Sequence, residues 1–325
     1  MRSALHREFG NPAEVLAPGD SPVPEPGPGE VRIRTALAPI HNHDLWTIRG
    51  QYGYKPTLPA IGGSEGVGVI DALGEGVEGL HVGQRVNAAS GRGTWADYFL
   101  ASARMAIPLP DAIPDEVAAQ LVAMPLSALM LLEFLHVEPG QWIVQNAANG
   151  AVGKTLAMLA AARGVRVLSL VRRDAGVEEM AKVGIGNVVS TAQDGWRDAA
   201  KAILGGHRAH AAVDSVGGQA SAELVSLLGD DGVLVSFGAM GGEPMVIPSG
   251  DVIFRHLVVK GFWGSKVSRE MSPEDKRRLV GELIQRALGG ELKLPVDAIY
   301  GLEDAAKAAA ESLRPGRNGK VLLRP

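Results

Sequence analysis

"QWIVQNAANGAVGKTLAMLAAARG", residues 141 to 164, decides the fold. Its first part is a short apolar run that ends in small residues and Gly150. Its second part has the pattern of a helix, stopped by Gly164. The same alternation continues down the chain. "VRVLSLVRR" reads as a strand, "GVEEMAKVG" as a helix, "NVVST" as a strand and "GWRDAAKAILGG" as a helix. "HAAVDSVGG", "VLVSFGAMGG" and "LVVKGFWG" read as further strands, with "ASAELVSLLGDDG" as a helix between the first two. The strands are continuous apolar runs, the signature of a parallel sheet covered on both faces. The expected class is therefore α/β, with a doubly wound parallel sheet.

The loop between the first strand and helix carries the chemistry. Ala148, Gly150 and Gly153 fit the G-x-G-x-x-G frame with alanine in the first place. Gly150 lets backbone approach a pyrophosphate, Gly153 lets the helix pack on the strand, and the helix N-terminus supplies free N–H groups. The alternative is a tight turn without ligand; the strand–loop–helix setting favours dinucleotide binding. The second strand ends in Arg172, Arg173 and Asp174. A guanidinium fork matches a 2′-phosphate, so NADPH is expected in preference to NADH; two solvated arginines are the bland reading. The other strand ends, Asp214 to Gly218, Phe237 to Gly242 and Gly261 to Ser265, are glycine-rich. Phe262 and Trp263 read equally well as core aromatics or as a pocket wall.

The first hundred residues have a different grammar. "EVRIRTAL", "EGVGVIDALG" and "WADYFLA" are strand candidates between turns, and "PDAIPDEVAAQLV" reads as a helix. The tail holds the amphipathic "SPEDKRRLVGELIQRAL" and closes on the strand-like "GKVLLRP". The sheet domain thus reads as an insertion in a β-rich domain: residues 1–118 and 265–325 on one side, 119–264 on the other. A chain of 325 residues with net charge −4 and no basic stripe gives no sign of a nucleic-acid partner. No apolar run approaches the roughly 20 residues that span a bilayer. "MRSALHREFG" has no apolar targeting core, so a cytoplasmic enzyme acting on a small molecule is expected. There are no cysteines, which removes disulfides, thiolate nucleophiles and cysteine zinc sites.

"PIHNHDLWTIRGQYG", residues 39 to 53, sets His41, His43 and Asp44 close together. Three metal ligands would come from them only if the loop folded around an ion, and no metal is expected. The stronger candidate is Tyr52, a hydroxyl able to donate a proton or a hydrogen bond; Tyr54 is its rival. Ser127, in "PLSALM", is a candidate for positioning substrate.

These pieces resemble the medium-chain dehydrogenase/reductase superfamily over the whole chain. The supporting stretches are "PAIGGSEGVGVI", "GLHVGQRV", "NAANGAVG" and "GKVLL". Within it the chain is most similar to the zinc-free 2-enoyl-thioester reductases of mitochondrial fatty-acid synthesis, through "RGQYG", "GRGTWADY", "LVRRD" and "FGAMGGEPMVIPSGDVIFRHLVVKGFW". Quinone oxidoreductases are next. The resemblance implies a GroES-like catalytic domain, a Rossmann domain, a homodimer and NADPH-dependent reduction of an activated C=C bond. It places a proton donor at Tyr52. It places cofactor contacts at Asn149, Gly150, Ala151, Val152, Gly153, Arg172, Arg173, Asp174, Phe237, Gly238, Ala239, Met240, Phe262, Trp263 and Lys320. Zinc members carry a histidine where Ser64 stands. Three positions depart from the reductases: His41 replaces an asparagine, Met124 another, and Gly264 a larger side chain. His41 and Tyr54 are then candidate pocket residues. The competing readings are a quinone or enone reductase and a non-catalytic NADPH-binding protein.

Overall fold

The computed structural model describes residues 1–89 and 91–325. The chain divides into two compact units. One comprises Met1–Ala123, Leu283–Leu288 and Leu294–Pro325, the other Met124–Glu282 and Gly289–Lys293.

Six parallel strands form the sheet of the second unit among the described residues: Trp142–Gln145, Arg166–Val171, Val188–Ser190, Ala209–Asp214, Leu228–Ser236 and Val258–Gly261. Numbered one to six along the chain, they lie side by side in the order three-two-one-four-five-six. That order reverses beside the first strand, and ligands of such sheets bind at the carboxyl ends of strands where it does. The Val/Leu/Ala runs are buried because helices cover them. Trp142, Leu168, Leu170, Trp196, Leu224 and Leu234 share one apolar core. One element departs from its pattern. "ASAELVSLLGDDG" is helical only over Gln219–Val225, and Leu228 already begins the fifth strand.

Residues 265–282, which the sequence joins to the β-rich domain, cluster with this second unit instead. Within helix Pro273–Leu288, the part up to Glu282 is held there by charge. The Arg278 guanidinium donates to both Glu133 oxygens at 2.9 and 3.0 Å, and Arg163 donates to Glu282 at 2.6 Å.

The first unit is antiparallel over most of its area. Glu30–Pro39 is its spine. It pairs with Gly66–Leu73 on one side and with Tyr98–Ser102 and Lys320–Arg324 on the other. Val31, Ile33, Ile70, Val86 and Phe99 fill one apolar cluster. Ile40, Leu45, Ile48, Trp95 and Leu323 fill another. "PDAIPDEVAAQLV" yields only the short helix Asp115–Ala118.

The glycine loop shows why its residues are small. Ala148 is fully buried, and the tight turn is made by Ala147 at φ 46°. Helix Ala151–Ala162 then presses against the loop so closely that a Cβ on Gly153 would stand 2.6 Å from the Ala148 carbonyl oxygen. Backbone on both sides leaves nothing to rotate away. Gly153→Ala is therefore expected to lower stability by about 1–3 kcal/mol, the usual range for overpacking, read as a lower urea midpoint at unchanged slope.

Candidate active site

On the second unit the candidate residues gather at the carboxyl ends of the strands. Gly150 is the N-cap of helix Ala151–Ala162, with no side-chain cap on the free N–H groups and no acid in the first turn. Those features suit a phosphate. At the next strand end Arg172, Arg173 and Asp174 are all exposed. Arg173 donates to Glu179 at 3.2 Å, and Asn149 reaches the same carboxylate at 3.4 Å. Asp174 accepts from Gln193 at 2.6 Å.

Asp214 anchors the fourth strand end. One carboxylate oxygen accepts from Asn146 Nδ2 at 2.7 Å and from the Val216 and Gly217 N–H groups at 2.9 and 3.0 Å. The other accepts from Ser221 Oγ at 2.5 Å. Burial alone would raise this carboxyl; the Ser221, Asn146 and backbone hydrogen bonds outweigh it and hold it below its ordinary value. Phe237 and Gly238 leave the following strand with their N–H groups on the Asp214 carbonyl. Ala239 and Met240 continue outward and are exposed. The aromatic pair divides its roles. Phe262 is buried, stacked on Phe237 at 5.8 Å and edge-on to Phe134 at 5.4 Å, while Trp263 is 60% exposed. A side chain at Gly264 would meet Ser127 Oγ at 3.2 Å, so this departure leaves space beside Ser127.

The first unit holds a second cluster that sequence reasoning only touched. The segment after Pro39 does not stay extended. His41 caps helix Asn42–Ile48, with its N–H donated to Asp44 Oδ2 at 2.9 Å. Its ring lies fully inside the protein, not in a pocket wall, and Nε2 meets Glu65 Oε2 at 2.7 Å. The other oxygen of Glu65 accepts from Asn87 Nδ2 at 3.1 Å and from the Val122 and Ala123 N–H groups at 2.9 and 3.0 Å. Lys320, expected at the cofactor, is buried here and donates to the Ile40 carbonyl at 3.2 Å. Burial dominates all three groups. It pushes Glu65 up to about 7 against its hydrogen bonds, and Lys320 down to about 8. It pushes His41 well below its ordinary value, helped by the charges of Lys320 and His43. Among the described residues the His41 Nδ1 has no partner, so a second proton there would be stranded.

His43 lies at the edge of this cluster, its ring stacked on His41 at 5.0 Å and 5.8 Å from the ring of Tyr52. Its Nε2 is 2.7 Å from Ser64 Oγ, which in turn donates to Asp44 Oδ1 at 2.6 Å. Tyr52 is 41% exposed; Tyr54 is exposed with Arg92 over its ring at 5.5 Å. Ser64 stands out in the sequence only as the position of a missing zinc ligand, and Asn87 has no sequence signature of its own. The signal was the polar run "GGSEGVG" at the entry to a buried strand.

A switch-point sheet with a glycine loop, joined to an antiparallel unit with a buried polar cluster, is the architecture of two-domain dehydrogenases. Residues 27–111 match the family described as alcohol dehydrogenase GroES-like domain, and residues 151–283 the zinc-binding dehydrogenase family. The human mitochondrial enoyl-[acyl-carrier-protein] reductase is 31% identical over 99% of this chain and 88% of its own. The Caenorhabditis elegans protein of that name is 32% identical over 96% of this chain and 92% of its own. Among solved structures, a mycobacterial quinone oxidoreductase superposes with TM-score 0.89 at 28% identity over both full lengths. The Escherichia coli quinone oxidoreductase complexed with NADPH superposes with TM-score 0.89 at 25% identity, again over both full lengths. The chain belongs to the medium-chain dehydrogenase/reductase superfamily, with a GroES-like domain and a Rossmann domain. Its donor set does not fit the catalytic zinc of that superfamily. There is no cysteine, and Asp44 and Glu65 are taken up by protein donors. Among the described residues no group of three or more histidines and acids is arranged to hold a metal.

Replacing Glu65 tests the buried cluster. Glu65→Ala leaves three N–H donors and His41 without an acceptor, and is expected to lower stability by at least about 3 kcal/mol. Glu65→Gln gives the sign of the proton linkage. A folded pKa near 7, above the unfolded value of 4.5, means the folded state holds the proton more tightly. The contribution is complete below the unfolded value and lost as pH rises through the folded one. The stability of the wild type relative to Glu65→Gln should therefore fall from about pH 4.5 to about pH 7, as followed by urea denaturation at each pH.

Proposed function

We propose that the protein is a zinc-independent reductase that transfers hydride from NADPH to the β-carbon of a 2-enoyl thioester. The observation that carries this reading is on the first unit. His41, His43, Asp44, Ser64 and Glu65 are linked by hydrogen bonds, and the ring of Tyr52, a residue 41% exposed, lies 5.8 Å from that of His43. Full-length similarity to proteins named enoyl-[acyl-carrier-protein] reductase supports it.

The second unit fits the cofactor: an acid-free helix N-terminus for the pyrophosphate, and Arg172 and Arg173 for the 2′-phosphate. Asn149 to Gly153 and Phe237 to Met240 would line it, with Trp263 at the nicotinamide end. Bound NADPH would supply the hydride. Tyr52 acts as acid or hydrogen-bond donor to the anion that forms on the thioester oxygen, and Ser127 positions the substrate or carboxamide.

A second reading, reduction of quinones or enones, is favoured by the full-length match to quinone oxidoreductase structures. The cytoplasm is the proposed location. No helix among the described residues is long and apolar enough to cross a membrane. The proposed assembly is a homodimer. Edge strand Val258–Gly261 is exposed along its length, and Ile253 and Phe254, shortly before it in the chain, are exposed too, the latter 82%. Light scattering should find dimers, and Phe254→Asp should shift them towards monomer.

Two substitutions test the activity. Tyr52→Phe removes a single donor and should lower kcat on a short enoyl-CoA by about 10²-fold. Unchanged thioester turnover would remove Tyr52 from the chemistry, and turnover of a simple quinone alone would favour the second reading. The double change of Arg172 and Arg173 to alanine should weaken NADPH binding by at least about 10-fold and leave NADH binding nearly unchanged, as followed by nucleotide fluorescence titration.

A further inference from the structure

We propose that His43 delivers the proton that completes the reduction, held ready for it by Ser64 and Asp44, while Tyr52 steadies the oxyanion. The inference rests on the reductase reading above and names a residue which that reading does not use.

One hydroxyl proton sets the hydrogen-bond directions. Ser64 Oγ has a single hydrogen, and the nearly buried Asp44 carboxylate accepts it at 2.6 Å. The same oxygen lies 2.7 Å from His43 Nε2. With its own proton committed, Ser64 accepts, so Nε2 carries a hydrogen and donates. The second Asp44 oxygen is fixed by the His41 N–H at 2.9 Å. The imidazole is thus locked in orientation by a hydroxyl that a carboxylate locks in turn. Its own backbone carbonyl is held too, by Thr47 Oγ1 at 2.8 Å.

What remains is Nδ1. Among the described residues no protein group bonds to it, and the His43 side chain is 26% exposed. His41 is stacked on one side of the ring and Tyr52 is tilted beside it. The titratable groups around His43 are therefore His41 and Asp44 on its own segment and Tyr52 and, through Ser64, the 64–65 segment; Glu65 and Lys320 lie one contact further, behind His41. Asp44 Oδ1 lies 3.5 Å from Nε2, so the ring stands next to a carboxylate. His41 cannot serve in its place, since it is fully buried and its Nε2 is committed to Glu65.

The step balances. A hydride from the reduced nicotinamide forms a C–H bond at the β-carbon, and the C=C π electrons move towards the α-carbon and the thioester oxygen. The Tyr52 hydroxyl hydrogen-bonds that oxygen. The N–H bond at Nδ1 of the imidazolium breaks, and its proton forms the second C–H bond at the α-carbon. Neutral imidazole remains, with Nε2–H still donated to Ser64, and water returns the proton.

The test uses the whole enzyme, NADPH and crotonyl-CoA in deuterium oxide. Wild type should place one deuterium at the α-carbon on a single face. His43→Gln should lower kcat about 10²-fold, the low end for a lost general acid, with KM little changed and deuterium on both faces. It should also lose the fall in rate that accompanies deprotonation of the acid as pH rises. Ser64→Ala keeps the imidazole but frees it, and should lower kcat less and move that fall in rate without abolishing it. A thermal melt of each variant separates lost chemistry from lost fold; if His43→Gln unfolds, Ser64→Ala decides, and an unmoved pH profile there overturns the proposal. Full rate with single-face deuterium in His43→Gln overturns it outright. If wild type fails on the thioester, the reductase reading falls on its own, and the same comparison on an α,β-unsaturated ketone still decides for His43. Activity confined to quinones overturns both.

Discussion

A carboxyl group at 0% exposure constrains everything around it, and Glu65 is such a group. Leaving one of its oxygens without a donor would be costly in a medium that screens charge poorly. The fold supplies four partners from three separate places: the helix cap at His41, the strand at Asn87, and the backbone of Val122 and Ala123. Meeting that demand fixes where the chain must turn after Pro39 and where the segment at 122–123 must enter. The His41 ring, drawn inside by Glu65, becomes the surface on which His43 stacks. The exposed edge of the cluster is therefore set by its buried centre.

The second unit answers the same kind of demand at Asp214. This carboxylate gathers Asn146, Ser221 and two backbone N–H groups, and so ties the first strand end to the fourth. Close packing completes the arrangement. The contact of Gly153 with Ala148 seats the helix, which aims its free N–H groups at the place a phosphate would take. A polar hub and a missing side chain thus do complementary jobs: one holds strand ends together, the other lets a helix come near.

The two units also differ in how readily they are read. In the sheet unit each strand is a run of apolar residues followed by glycine, and each helix has a 3.6-residue period, so the pattern itself carries the architecture. Where it misled, at "SLLGDDG", a strand begins inside an apparently helical apolar run, and a short run cannot declare its own period. The boundary near residue 265 was illegible for a different reason. The helix Pro273–Leu288 is amphipathic wherever it sits, and ion pairs to Glu133 and Arg163 decide its place. Lys320 shows the same limit. The family resemblance implies a cofactor contact for it, and only the fold shows that its ammonium is buried and donates to the Ile40 carbonyl.

The parallel sheet, the glycine loop, the arginines after the second strand and the absence of any thiol can all be read from the chain before it folds. Each is a matter of residue type and local spacing, and local spacing is preserved on folding. Which of two neighbouring histidines is buried and which is presented emerges only on folding, because that turns on partners 21 and 24 residues away, Ser64 and Glu65. It also separated Phe262 from Trp263, adjacent in the chain but opposite in exposure. The physical reason is common to both. Burial and hydrogen bonding are properties of the surroundings, and residues distant along the chain provide them.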